Sequence, residues 1–249
     1  IIAVAGVGVL VVTQLVAGSL QERFDNQLFE SARAASATII DTEREMLAVL
    51  RSMVFTIGVP ERVVAADTDG LDALLRPLAA NYTAEEVNVF SPEGRGIFRL
   101  KRVYDPQSGR SRYETTPPLD VMSWRGAMRV VMPAPDEHGD KFADLVALDD
   151  GSTVFISAPV VDADNRIVGA VSLGIRTETL ARRAGDQSLS SIAFIDNDGH
   201  LLGSTFRLDE PAILALEPDE AVRLLADVDD LSPMVERSLE GFAYTLLYA

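Results

Sequence analysis

Two stretches of the chain carry the side chains best suited to hold a small molecule. MSWRGAMRV (122–130) contains the only tryptophan, Trp124, with Arg125 and Arg129 four residues apart, a spacing that sets both guanidinium groups on one side of a helix. GIFRLKRV (96–103) reads as a strand, and its alternation places Ile97, Arg99, Lys101 and Val103 on one face and Phe98, Leu100 and Arg102 on the other. The second set suits a helix-covered face less one charge, so Arg99 and Lys101 are expected to point toward the segment that holds Trp124. Arginine forks recognise carboxylates, and an aromatic ring beside them supplies an apolar wall. The candidate ligand-binding set is Arg99, Lys101, Tyr113, Trp124, Arg125 and Arg129, and the ligand it suits is a small anion such as a carboxylate. The competing reading has these as solvated charges on a strand and a loop, with Trp124 filling a core.

Other chemistry is poorly provided for. The chain has no nucleophile-elbow GxSxG, no HExxH and no phosphate-cradling glycine loop, and its two histidines, His138 and His200, stand in polar, turn-like contexts. Asp149 and Asp150 in ALDDGST could serve a hydrolase, but they precede Gly151 between two strands, where a turn accounts for them. The absence of cysteine removes disulfides, thiolate nucleophiles and Cys-ligated zinc. An enzyme is therefore not expected, nor a cofactor or a metal. One pattern recurs three times, in VFSPEGRGIF (89–98), ISAPVVDADNRIVGAVSLGI (156–175) and FIDNDGHLLG (194–203). In each, an apolar run meets Asp or Ser, then an acidic residue, Gly or Asn, and Arg or His. Each is predicted to be a hairpin, with Gly94, Asn165 and Gly199 at positive φ. The DxD pairs can bind calcium, but they lack the glycine and glutamate of the EF-hand loop, so the turn reading is preferred.

At 249 residues and 47% hydrophobic content the chain can build one large domain or two modest ones, and its formal net charge of −16 argues against nucleic acid. Ile1–Leu20 has no charged residue and nearly the length needed to cross a bilayer, so a transmembrane helix that starts upstream is expected there, with everything after about residue 20 extracytoplasmic. From Gln21 to Gly58 no glycine or proline intervenes. Apolar or small residues at 24, 28, 32, 35, 39, 46, 50, 53 and 57 keep close to a 3.5-residue spacing, which predicts one long stalk helix about 57 Å in length. Its stripe suits either a sheet-packing face or the seam of a homodimer. A second helix is expected over 71–81, limited or kinked by Pro77. EVNVF, GIFRLKRV, FADLVAL, STVFISAPVV and RIVGAVSLGI then read as a five-stranded antiparallel sheet with helices on one face, interrupted by a long insertion over 104–140. TETLARRAGDQ reads as a helical connection, followed by a hairpin, helical stretches at PDEAVRLLADVD and PMVERSL, and a strand at GFAYTLLYA. This second module looks smaller or cut short, and the second alternative is preferred.

This layout resembles the double Cache sensors, PAS-like ectodomains of bacterial receptors. SAPVVDADNRIVGAVSLGI with TETL is similar to that family's fourth and fifth strands and the linker beyond them, and SIAFIDNDGHLLGSTF to the first hairpin of its second module. The resemblance covers nearly the whole chain. It implies an α+β fold with a transmembrane helix (1–20), a stalk (21–58), a membrane-distal module (59–176) and an incomplete membrane-proximal module (177–249). It also implies a small-molecule ligand between the distal sheet and the insertion, and a helix shift passed through the membrane to a kinase, cyclase or chemotaxis output. The amino-acid-binding branch of the family carries an Arg two before the Trp, a Tyr after it and an Asp in the last distal strand. Met122, Arg125 and Gly174 stand at those places here, which argues against an amino acid held in that mode and leaves carboxylates, other small metabolites or no ligand. The alternative function is a membrane-anchored interaction module that binds a protein instead.

Overall fold

The computed structural model describes residues 2–82, 84–131, 142–196, 198–206, 216–217, 219, 234–239 and 242–247; of 2–22, 24 and the last two strands it describes the backbone alone. Helix α1 runs unbroken from Ile2 to Val54. The membrane span expected over Ile1–Leu20 therefore falls where side chains lie outside the described residues. Among the described residues no helix is long and apolar enough to cross a membrane. The chain divides into two compact units: one comprises Ile40–Leu180, the other Ile1–Ile39 with Ala181–Ala249.

Within the larger unit, Met46, Val49, Leu50, Met53 and Val54 of α1 are buried, while Arg51 faces out. Thr42, where the apolar stripe looked broken, is buried as well. The helix ends four residues earlier than expected, and Ile57, assigned to the stripe, is left 95% exposed on the following turn. A helix not foreseen, α2 (Val59–Ala65), comes next, with Pro60 in its first turn. Helix α3 (Thr68–Asn81) starts three residues ahead of its expected position because the Asp67 carboxylate accepts the Gly70 amide at 3.0 Å. Pro77 lies inside α3 without ending it.

The strands are β1 (Glu86–Phe90), β2 (Gly96–Asp105), β3 (Arg110–Thr115), β4 (Phe142–Leu148), β5 (Gly151–Val161) and β6 (Ile167–Arg176). They form one antiparallel sheet in the order β3-β2-β1-β6-β5-β4, six strands where five were expected. The extra strand is β3, inside the segment read as an irregular insertion. Helices cover both faces, which corrects the one-sided arrangement. Helices α2 and α3 pack where Val87, Val89, Phe98, Leu100, Val171 and Leu173 are buried. On the other face lies α4 (Arg125–Val131), against β4, β5 and β6.

The smaller unit contains most of α5 (Thr177–Ser188), the hairpin β7 (Ala193–Ile195) with β8 (Leu201–Ser204), and the hairpin β9 (Met234–Leu239) with β10 (Phe242–Leu247). Of PMVERSL, read as helical, Met234–Leu239 is a strand. The helix expected at PDEAVRLLADVD lies almost wholly outside the described residues.

All three recurring motifs are hairpin turns of one design. Gly94, Asn165 and Gly199 have φ of 80°, 60° and 90°. In each turn that residue's amide donates to the carbonyl three positions back, at Ser91, Asp162 and Asp196, whose own amides donate to the carbonyls of Arg95, Arg166 and His200. The side chains repeat the scheme: Asp162 Oδ1 accepts the amides of Asp164 and Arg166, both at 2.9 Å, and Asp196 Oδ1 those of Asp198 and His200 at 2.9 and 2.8 Å. These carboxylates are thereby occupied as turn formers. Asp196, Asp198 and His200 do cluster closely enough to surround a cation, but His200 Nδ1 lies 3.1 Å from Asp196 Oδ2 and Asp196 is committed to backbone amides.

Candidate ligand-binding face

Register decides which side chains share the face under α4. Across β2, β1, β6 and β5, one row reads Arg99, Asn88, Ser172, Ser157; the next reads Lys101, Glu86, Gly174, Phe155, continued on β4 by Asp144. A sheet interior is normally apolar, yet Asn88, Ser157 and Ser172 are all 0% exposed. Buried polar groups need partners. Ser157 Oγ and Ser172 Oγ are 2.6 Å apart, and the Asn88 amide pairs with Leu119, its Nδ2 donating to the carbonyl at 3.2 Å and its Oδ1 accepting the amide at 3.1 Å. Asn88 thus treats the crossing chain as another strand and holds residues 116–121 against the sheet. The Asp120 carboxylate adds a bond from the Gly96 amide, and the Thr116 amide donates to Arg99 O. Thr116 Oγ1 is buried with no partner among the described residues.

Charge on this face is balanced. Arg99 Nε donates to Glu86 Oε1 at 2.8 Å, with both side chains largely buried, and Lys101 Nζ lies 2.8 Å from Asp150 Oδ2 at a wetter position. Burial raises the Glu86 carboxyl above its ordinary value, outweighing the hydrogen bond and charge of Arg99 and the charge of Lys101. For Asp150 burial also pushes upward, but the Lys101 bond and charge prevail and the carboxyl is held low.

The other half of the face is apolar. Trp124 stacks at a tilt on Phe155, with ring centroids 4.7 Å apart, and joins Phe90, Val121, Ala127, Val130, Val131 and Ala170. Asp144 fixes α4 over this cluster by accepting the amides of Gly126 and Ala127 at 2.8 and 2.7 Å, a cap supplied from the sheet.

No protein-family model and no curated protein matches the sequence. Solved structures do. A domain of a sensory box/GGDEF family protein from Vibrio parahaemolyticus superposes with a TM-score of 0.59 at 10% identity, over 85% of this chain and 86% of that one. The ligand-binding domain of the Campylobacter jejuni chemoreceptor Tlp3, in complex with L-valine, gives 0.57 at 15% identity over 93% and 88%. The periplasmic domain of Vibrio cholerae LuxQ gives 0.50 at 14% over 87% and 95%. The chain shares the fold of these solved domains.

In this fold the six singled-out residues do not share one face. Arg99 and Lys101 lie on the face under α4, as alternation required, but each already has a carboxylate partner. Trp124 is 8% exposed and belongs to the apolar cluster. Arg125 and Arg129 are exposed on α4. Tyr113 belongs to the opposite face: it pairs with Arg102 in register, and its hydroxyl donates toward Ala79 O and Ala84 O at 2.8 and 2.7 Å, tying β3 to the end of α3. Sequence reasoning passed over Glu86, Asn88, Ser157, Ser172 and Thr116. Their signal was faint but present, since Glu86 and Asn88 are polar residues at every second position of a strand otherwise made of Val and Phe. Gly174 lies where an added Cβ would stand 2.7 Å from Phe155 Cε1, so the Phe155 ring fills the place beside it.

Proposed function

We propose that the chain is the ligand-sensing region of a bacterial membrane receptor, placed outside the cytoplasm, in which the face under residues 116–131 binds a small molecule. The observation that carries this reading is the buried polar row Asn88, Ser172 and Ser157, flanked by Glu86–Arg99 and Lys101–Asp150. Polar groups at the centre of a sheet cost stability unless partnered, so a core has little use for such a row, and the Thr116 hydroxyl beside it, buried with no partner among the described residues, supports a polar occupant. Two cations facing two carboxylates suit a molecule that bears a carboxylate together with a compensating positive group, rather than a polyanion. The L-valine complex of the Tlp3 domain, on the same fold, supports that class. Anchoring through residues 1–20, and transmission along α1 to an output domain, belong to the same proposal.

The test is a thermal-shift screen of the full chain in detergent against amino acids, dicarboxylates, purines and polyamines. A ligand at 100 times its Kd stabilises the folded state by about 2.7 kcal/mol, which for a unit of this size raises Tm by about 5–10 °C. Glu86→Gln and Ser172→Ala should remove the shift. A binder indifferent to both substitutions overturns the site. Silence across the panel favours a second reading, a protein partner, for which the exposed Phe55 (74%) and Ile57 (95%) between α1 and α2, and Val64 (67%) on α2, are the apolar candidates.

A further inference from the structure

Two adjacent glutamates, Glu86 opening β1 and Glu85 just before it, do different work. Glu86 turns to the candidate face and accepts Arg99. Glu85 holds the beginning of α5. Its Oε2 accepts the Arg176 amide at 2.7 Å, and its Oε1 accepts the Thr179 hydroxyl at 2.7 Å and Arg176 Nη2 at 3.4 Å. The Glu85 side chain is 12% exposed, so these bonds stand largely out of water. A carboxylate at that position also meets the positive end of the α5 helix dipole. The peptide between the two glutamates is pinned on both sides: Glu85 O accepts the Arg102 amide at 2.8 Å, and Glu86 is in register with Lys101 and Gly174. Helix α5 continues past Leu180, where the larger unit ends.

We propose that the Glu85–Glu86 dipeptide is a mechanical joint that couples the occupancy of the candidate face to the N-terminal turn of α5. A ligand that recruits Arg99 or displaces Glu86 moves the backbone of residue 86. Because residue 85 cannot turn independently of it, the clamp on Arg176 and Thr179 shifts with it. The differential contact that any such switch requires is supplied by Glu86, whose bond from Arg99 a bound ligand would compete for. The signalling role rests on the ligand-sensing reading, but the joint itself is testable without any ligand.

The experiment is native-state hydrogen exchange on the full chain in detergent, comparing wild type, Glu86→Gln, Glu85→Gln and the double variant. Amides of 177–181 are read against those of Val171 and Leu173 in the sheet. The expected result is that Glu86→Gln speeds exchange at 177–181 by about tenfold, leaves Val171 and Leu173 within about twofold, and has no further effect once Glu85→Gln is present. Arg99→Lys, which disturbs the same ion pair from β2, should reproduce the change. Equal acceleration at α5 and in the sheet means global loosening and overturns the joint. So does an unchanged α5 in both Glu86→Gln and Arg99→Lys, or a Glu86→Gln effect that persists in full in the Glu85→Gln background. None of these outcomes depends on the ligand screen, so failure of the joint and failure of the sensing reading remain separate.

Discussion

Gly174→Ala is the sharpest probe of how the candidate face is packed. The added methyl carbon would stand 2.7 Å from Phe155 Cε1, 3.0 Å from Cδ1 and 3.0 Å from Thr153 Cγ2, against an ordinary contact of about 3.5–4.0 Å. The ring must retreat by several tenths of an ångström. Phe155 is 0% exposed and stacks on Trp124, which in turn lies against Val121 and Ala127, so retreat disturbs the cluster under α4. Overpacking of this kind costs about 1–3 kcal/mol, a fall of about 2–12 °C in Tm for a unit of this size. Chemical denaturation of the full chain, followed by the single tryptophan, measures it directly. Phe155→Leu removes the obstructing atoms and leaves a void that the alanine methyl partly fills. The double variant should then be less destabilised than the sum of the two singles by about 1 kcal/mol or more, since groups in contact couple. Strict additivity, or a Gly174→Ala protein as stable as wild type, would refute the argument that glycine is there to admit the ring.

Ser157→Ala and Ser172→Ala should each cost about 1–3 kcal/mol by orphaning the other hydroxyl, and the double variant less than their sum, as measured by urea midpoints. Asp144→Ala removes the cap on α4 and should cost about 1–2 kcal/mol, with faster exchange at the Gly126 and Ala127 amides. Asn165, at φ 60°, should accept glycine without loss, whereas Asn165→Val should cost about 1–2 kcal/mol because a β-branched residue resists the left-handed region. The raised carboxyl of Glu86 makes a definite contribution to pH dependence. A group whose folded value lies above its unfolded one supports the fold fully below the unfolded value and withdraws that support as pH climbs through the folded value. The stability of wild type relative to Glu86→Gln should therefore decline as pH rises from about 4 upward, and a difference that grows with pH would reverse the assignment.

How far the sequence speaks for the fold depends on which force shapes each element. The three turns were legible because φ, Asn and Gly are local matters, and all three residues named as positive-φ positions have that geometry. Helix α3 and strands β1, β2, β4, β5 and β6 follow apolar periodicity and were found within a few residues. Strand β3, RSRYET, was invisible: it is a polar edge strand with no apolar alternation, ordered by pairing with β2 and by Tyr113 bonding to the end of α3. PMVERSL alternates ambiguously enough to read as either period, and pairing with Phe242–Leu247 decides for strand. At the candidate face, alternation correctly oriented Arg99 and Lys101. It could not reveal that Glu86 and Asp150, one on a neighbouring strand and one in a tight turn, would reach them first, because that pairing is a property of sheet order rather than of spacing.

The order β3-β2-β1-β6-β5-β4 has a consequence for how the molecule assembles. Each of its two halves is a three-stranded run whose neighbours follow one another along the chain, and the two halves meet along a single line, where β1 lies beside β6 and Phe90 faces Ala170. Every other strand pairing closes a shorter loop. That central seam closes the longest one, and such long-range closure is what slows folding. Asn88 and Glu86 stand on one side of the seam, Ser172 and Gly174 on the other. The candidate face therefore does not exist in either half alone, and a molecule bound across it would act as a stitch, slowing the parting of the halves and lengthening the lifetime of the folded sheet as well as reporting its own presence.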